Sequence, residues 1–162
     1  MVGAPSVLAP VVLQVALTFG LLLWAAWLRR QDIQSGAVKP AEITLRQPVW
    51  PVKTQQVLNA YQNQLEIPIL FYLVSMLSLF TARASMTLVV LAWIFVFLRF
   101  LHALIHVTTN NFMRRGALFG LGVFVLILMW LIYSWSLFFG GPGPLEGLDV
   151  ETLEGSTILA PP

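Results

Sequence analysis

Long apolar runs decide what this chain can be. Val7–Leu28 carries no charge and ends at Arg29 and Arg30. A second run begins polar at Gln55 and turns apolar from Ile67 to Phe80. In the third, Met86–Val107, the only ionisable side chains are Arg99, His102 and His106. The fourth, Ala117–Phe139, is again free of charge. A helix needs about 20 residues to cross ~30 Å of hydrocarbon. The second run reaches that length only if its polar start, from about Val57, is helical too. Lipid offers no water to backbone groups, so the spans are predicted to be helices rather than strands.

Composition closes the soluble alternative. Of 162 residues, 58% are hydrophobic and 10% charged, where a soluble domain carries roughly 25% charged residues. The net charge of +2 comes without a basic run, which argues against nucleic acid as a partner. With no cysteine, disulfides, thiolate metal sites and cysteine nucleophiles are excluded. The expected fold is therefore all-α, an integral membrane bundle of four helices over residues 1–139. Its spans lie at about 7–28, 57–80, 86–107 and 117–139. The first run reads as a span rather than a signal peptide. It is long, lacks a basic leader, and ends in Trp24, Trp27 and two arginines instead of small residues.

Orientation follows from the basic residues. Arg29, Arg30, Lys39, Arg46 and Lys53 lie between spans one and two, and Arg114 and Arg115 between spans three and four. Arg83 alone lies between spans two and three. The first and third loops are thus expected in the cytoplasm, with both termini outside. The long first loop carries Gly36, Pro40, Pro48 and Pro51 as breakers. Thr81–Ser85 is expected to be a tight turn. Residues 140–162 hold Glu146, Asp149, Glu151 and Glu154 without a base. Such a segment is expected to stay disordered unless a partner protein holds it.

Ionisable groups at membrane depth are costly, and each marks a candidate site. Asn59, Asn63 and Glu66 share one helical face by spacing, as do Arg99, His102 and His106. Counting about 1.5 Å per residue puts Glu66 and Arg99 at one level, about 12 Å from the same surface. An ion pair between them is expected, with the histidines nearer the cytoplasm. Three readings are open for this cluster. It could glue helices two and three together. It could form a polar pocket for an anionic ligand, with Arg99, Arg115 and the histidines as donors and Glu66 binding an amine. A metal held by His102, His106 and Glu66 is the weakest, because H-x-x-x-H alone is common, and no metal is expected. Pro68 is expected to kink span two, and Gly116 and Gly120 to allow close helix approach.

Three stretches carry a family resemblance. Asn63-Gln64-Leu65-Glu66-Ile67-Pro68 is similar to an N-x-x-E motif with a following proline. Arg99-Phe100-Leu101-His102, running into Asn110, Asn111 and Arg115, is similar to a third-helix R-x-x-H pattern with a basic turn after it. Trp50-Pro51 precedes span two. Together they resemble the MAPEG family, the membrane-associated proteins of eicosanoid and glutathione metabolism, and in particular its bacterial branch. The resemblance covers about residues 5–138. It implies a homotrimer in a bacterial inner membrane, with glutathione between subunits near the cytoplasmic side and a lipophilic acceptor drawn from the bilayer. By motif, Asn63 and Glu66 match family positions that contact glutathione. Arg99, His102 and Arg115 match positions on the third helix and the start of the fourth, where Arg115 and Arg99 would hold or activate the thiol. His106 and Asn59 are added as candidate ligand-binding residues because they share those helix faces. Where enzymatic members carry arginines around the motif asparagine, this chain has Asn59 and Gln62, and tyrosine positions hold His106 and Phe119. Two functions stand side by side: a glutathione-dependent transferase or peroxidase, and a non-catalytic scaffold or accessory subunit docking through its tail.

The absence of cysteine makes the topology directly testable. In intact cells, a membrane-impermeant maleimide should label Ala84→Cys. It should reach Ser35→Cys and Thr109→Cys only after the membrane is opened. The reverse pattern would invert the assigned orientation.

Overall fold

The computed structural model describes residues 2–43 and 49–141. Its elements are α1 (Ala4–Gln34), a short 3-10 turn (Pro40–Ile43), α2 (Val52–Gln64), α3 (Pro68–Phe80), α4 (Met86–Val107) and α5 (Phe112–Phe139). Among the described residues the regular structure is all helical. Four helices, with α2 and α3 acting as one, are long and apolar enough to cross a membrane. The protein is thus an integral membrane protein with an all-α fold. Arg46 and Pro48 of the long loop, and the acidic tail beyond Gly141, lie outside the described residues.

α4 is the central helix. Half of its most apolar window is buried, against 22% for α1 and 28% for α5, so the outer helices turn most of their surface out of the bundle. α4 packs against α5, α1 and α2. Two apolar clusters result. One, around Phe71, Phe95, Val125, Leu126, Met129 and Tyr133, joins α3, α4 and α5, with Phe71 and Phe95 stacked at 4.7 Å. The other, around Leu21, Ala25, Val57, Ala60, Ala103 and Val107, joins α1, α2 and α4.

Buried polar side chains lie on the same helices: Gln14, Gln64, Arg99, His102 and His106. Gln14 Nε2 donates to Gln64 Oε1 at 3.0 Å. The same oxygen accepts from Arg99 Nε at 3.4 Å and from an Arg99 terminal nitrogen at 3.3 Å. Apolar contact gives little preference for helix association over lipid, so hydrogen bonds and close packing must hold such helices together. This set ties α1, α2 and α4.

Pro68 does more than kink its span. The helix stops at Gln64 and restarts at Pro68. A proline has no N–H, so the carbonyl of Gln64 loses its i+4 partner. Leu65 N–H turns back to Gln62 O at 2.9 Å. The carbonyl of Asn63 is taken instead by Arg99, at 2.7 Å. A helical defect at membrane depth is tolerable when a side chain supplies the missing donor.

The ends are tied by side chains. Ser85 caps α4 by accepting from Leu88 N–H at 3.3 Å, and Asn111 caps α5 by accepting from Arg114 N–H at 3.0 Å. Arg83 donates to Ser136 O and Gly141 O, both at 2.6 Å. At the opposite end Lys53 donates to Val107 O and stacks over Trp24 at 5.0 Å, Thr54 donates to Asp32 at 2.6 Å, and Arg29 lies over Trp50 at 4.7 Å.

Removing the shared acceptor should be costly. Gln64→Leu is expected to destabilise the protein in detergent by about 1.5–3 kcal/mol, the range for a hydrogen bond to a charged group. Gln64→Glu, which keeps an acceptor for Arg99, should stay closer to the parent in the same unfolding titration. Equal stability of Gln64→Leu and the parent would remove this network from the account.

Candidate functional site

The 3.6-residue repeat of α4 puts Arg99, His102 and His106 on one face. All three are buried. That face meets the end of α2, which supplies Asn63 and Gln64, and the start of α5, which supplies Arg115.

The expected ion pair does not form. Arg99 is bound by the Gln64 side chain and the Asn63 carbonyl, and among the described residues the Glu66 carboxylate makes neither a hydrogen bond nor an ion pair. The cause is the break before Pro68. It frees the Asn63 carbonyl for Arg99, while Glu66 stays exposed and lines the open cleft with Asn59 and Asn63. The freed backbone oxygen and the neighbouring amide then capture the guanidinium.

Arg115 is held from two sides. It donates to Asn110 Oδ1 at 2.6 Å and lies 3.5 Å from His106 Nε2. Asn63 Nδ2 approaches the same His106 nitrogen at 3.4 Å. The backbone oxygen of Arg115 meets His102 Nδ1 at 3.1 Å. Asn110 reaches its place through a backbone with φ of 49°, a left-handed conformation that asparagine tolerates better than most residues. These contacts fix the tautomers. A guanidinium can only donate, so His106 Nε2 accepts and its proton sits on Nδ1. A carbonyl can only accept, so His102 also carries its proton on Nδ1.

An open cleft of about 330 Å³ is lined by Asn59, Gln62, Asn63, Glu66, His106 and Arg115. A second, of about 210 Å³, adds His102, Phe112, Gly116 and Phe119 and shares Asn63, His106 and Arg115 with the first. The structure thus gathers Asn59, Asn63, Glu66, His102, His106 and Arg115 around one polar space. Arg99 sits behind it, absent from both linings. Gly116, read from sequence as a helix-packing residue, lines the cleft, and a Cβ added there would meet nothing within 4 Å. Sequence reasoning gave no role to Gln14, Gln64 or Asn110. Gln14 carried a usable signal as an amide inside an otherwise apolar run. Gln64 hid within a polar helix start, and Asn110 matters only because of its turn. Among the described residues, no three His, Cys, Asp or Glu side chains converge as a metal-binding group. A separate apolar groove of about 290 Å³ runs between α3 and α5, from Ile67 and Leu70 to Val123, Leu126, Ile127 and Trp130.

The tautomer assignment has a direct readout. Nitrogen NMR of histidine-labelled protein should show both rings with Nδ1 protonated and Nε2 bare. Asn110→Ala should release Arg115 and broaden the His106 signal. Protonated Nε2 in both rings would contradict this geometry.

Comparison with curated proteins and with solved structures gives no match. The MAPEG family model matches residues 7–135. That match includes all four membrane-crossing helices nearly to the end of α5, together with Asn63, Glu66, Arg99, His102 and Arg115, and on it the chain belongs to the MAPEG family.

Proposed function

We propose that the chain is a glutathione-dependent transferase or peroxidase acting on a lipophilic substrate, with the polar cleft as its glutathione site. The observation that carries this reading is the convergence of Arg115, Glu66 and the amides of Asn59, Gln62 and Asn63 on one open space. Glutathione has two carboxylates and one ammonium, so it carries one net negative charge while its thiol is protonated. The site answers with two arginines against one carboxylate. Arg115 suits a carboxylate or a developing thiolate, because a nearby cation favours the ionised sulfur. Glu66, exposed and unpaired among the described residues, suits the ammonium. Arg99 acts from behind, by holding the carbonyl of Asn63 and adding its positive field. The apolar groove that starts at Ile67, next to Glu66, suits a lipophilic acceptor entering from the bilayer. The working assembly on this reading is a homotrimer in a bacterial inner membrane, with the cleft towards the cytoplasm and both termini outside.

One observation favours a second reading. The outer rim of the cleft offers the amides of Asn59 and Gln62 where a tighter anion clamp would place cations. A non-catalytic accessory subunit that docks through residues 140–162 fits that economy of charge. Deleting those residues and comparing co-purifying proteins tests it, and an unchanged partner set removes it.

Calorimetry of the detergent-purified protein with glutathione decides the first reading. Arg115→Ala and Glu66→Gln should each weaken binding by about tenfold or more, the loss of one charge-assisted hydrogen bond. Gly116→Leu should block the cleft while leaving the thermal midpoint near the parent's. No heat of binding at millimolar glutathione sinks the enzyme reading, and binding unchanged in all three variants sinks this site.

A further inference from the structure

The ends of two helices carry an arrangement that the cleft does not use. α1 has 31 residues and α5 has 28. At 1.5 Å per residue they are about 46 and 42 Å long, beyond the ~30 Å hydrocarbon core and as long as a bilayer with its headgroups. The excess must lie in the headgroup layer. At the end of the bundle that holds the α1–α2 and α4–α5 connections, the side chains suit that layer. Trp27 is 55% exposed, Phe112 73% and Met113 76%. Arg30, one turn after Trp27 on α1, and Arg114, next to Met113 on α5, are exposed. Among the described residues neither guanidinium makes a hydrogen bond, an ion pair or a ring contact. Their sequence neighbours differ: Arg29 is stacked on Trp50, and Arg115 is turned into the cleft against Asn110. Each pair of adjacent arginines therefore splits its work, one side chain holding the fold or the site and one left facing outward. At the opposite end the lone arginine, Arg83, is committed to Ser136 O and Gly141 O.

We propose that Arg30 and Arg114, flanked by Trp27, Phe112 and Met113, form a rim that binds the phosphate headgroups of anionic phospholipid at this end of the bundle. The exposed apolar side chains sit at the acyl boundary and the guanidiniums reach the phosphates. This is the division of labour that interfacial segments use. At each position an exposed cation beside exposed apolar side chains fits a lipid headgroup better than a soluble phosphate, which has nothing to place against Trp27, Phe112 and Met113.

The test uses the full chain in a neutral detergent, titrated with phosphatidylglycerol, phosphatidylcholine or glycerol 3-phosphate. Each arginine near an acidic surface is worth about fivefold in affinity. Phosphatidylglycerol should bind at least tenfold more tightly than phosphatidylcholine, and the preference should shrink as salt is raised. Arg30→Gln with Arg114→Gln should weaken phosphatidylglycerol about twenty-five-fold. The same double variant should leave phosphatidylcholine binding and the lipid-free melting midpoint unchanged. Phe112→Ser with Met113→Ser should weaken both lipids. Equal affinity for the two lipids, or a preference that survives the double arginine substitution, overturns the proposal. So does glycerol 3-phosphate binding as tightly as phosphatidylglycerol. A double arginine variant that changes the oligomer mass but keeps its lipid preference would make the rim a contact between copies, and would equally overturn it.

Discussion

Arg99 is the constraint on which the middle of this protein depends. A guanidinium buried at membrane depth cannot be left without acceptors. Here the acceptors are a backbone carbonyl and one amide oxygen, both at the end of α2. On a continuous helix the carbonyl would be taken by the backbone N–H four residues on. Pro68 stops α2 at Gln64, and that interruption exposes the carbonyl that Arg99 needs. The defect and the buried charge resolve each other, and Gln14 extends the solution to α1 through the same amide oxygen. Three helices are fixed by one cation without an opposing carboxylate.

The consequence reaches the cleft. Because Arg99 is satisfied by neutral groups, Glu66 is free to face outward, and Asn63 keeps its side chain for His106 while lending its carbonyl to Arg99. A direct Glu66–Arg99 pair would have neutralised both charges inside the bundle. The observed partition keeps a carboxylate and Arg115 on the open side and a second positive charge behind them. This is the arrangement that gives the proposed ligand its amine partner and its carboxylate or sulfur partner in one place.

Much of this was legible in the sequence, and the rest was hidden for physical reasons. The four spans follow from apolar length alone, since little else can be done with Val7–Leu28 or Ala117–Phe139. Helical spacing placed Arg99, His102 and His106 on one face, and the structure keeps them there. The Glu66–Arg99 pair failed because level and charge were judged on an unbroken helix, while Pro68 was counted only as a kink. Gln64 was given no role because an amide in a polar stretch looks like a solvated residue, although it follows Val57 and Ala60 on the buried face of α2. Asn110 owes its role to a left-handed turn, which no periodicity reveals. The MAPEG family assignment rests on residues 7–135, and the partners of its motif residues come from the structure.

A double-mutant cycle on unfolding in detergent tests the central claim most directly. Combining Arg99→Met with Gln64→Leu should give a coupling of at least about 1 kcal/mol, because the two side chains share hydrogen bonds. Combining Arg99→Met with Glu66→Gln should give a clearly smaller coupling, because these two charges share a field but no hydrogen bond. The opposite pattern, with strong coupling to Glu66 and none to Gln64, would restore the ion pair and contradict the account.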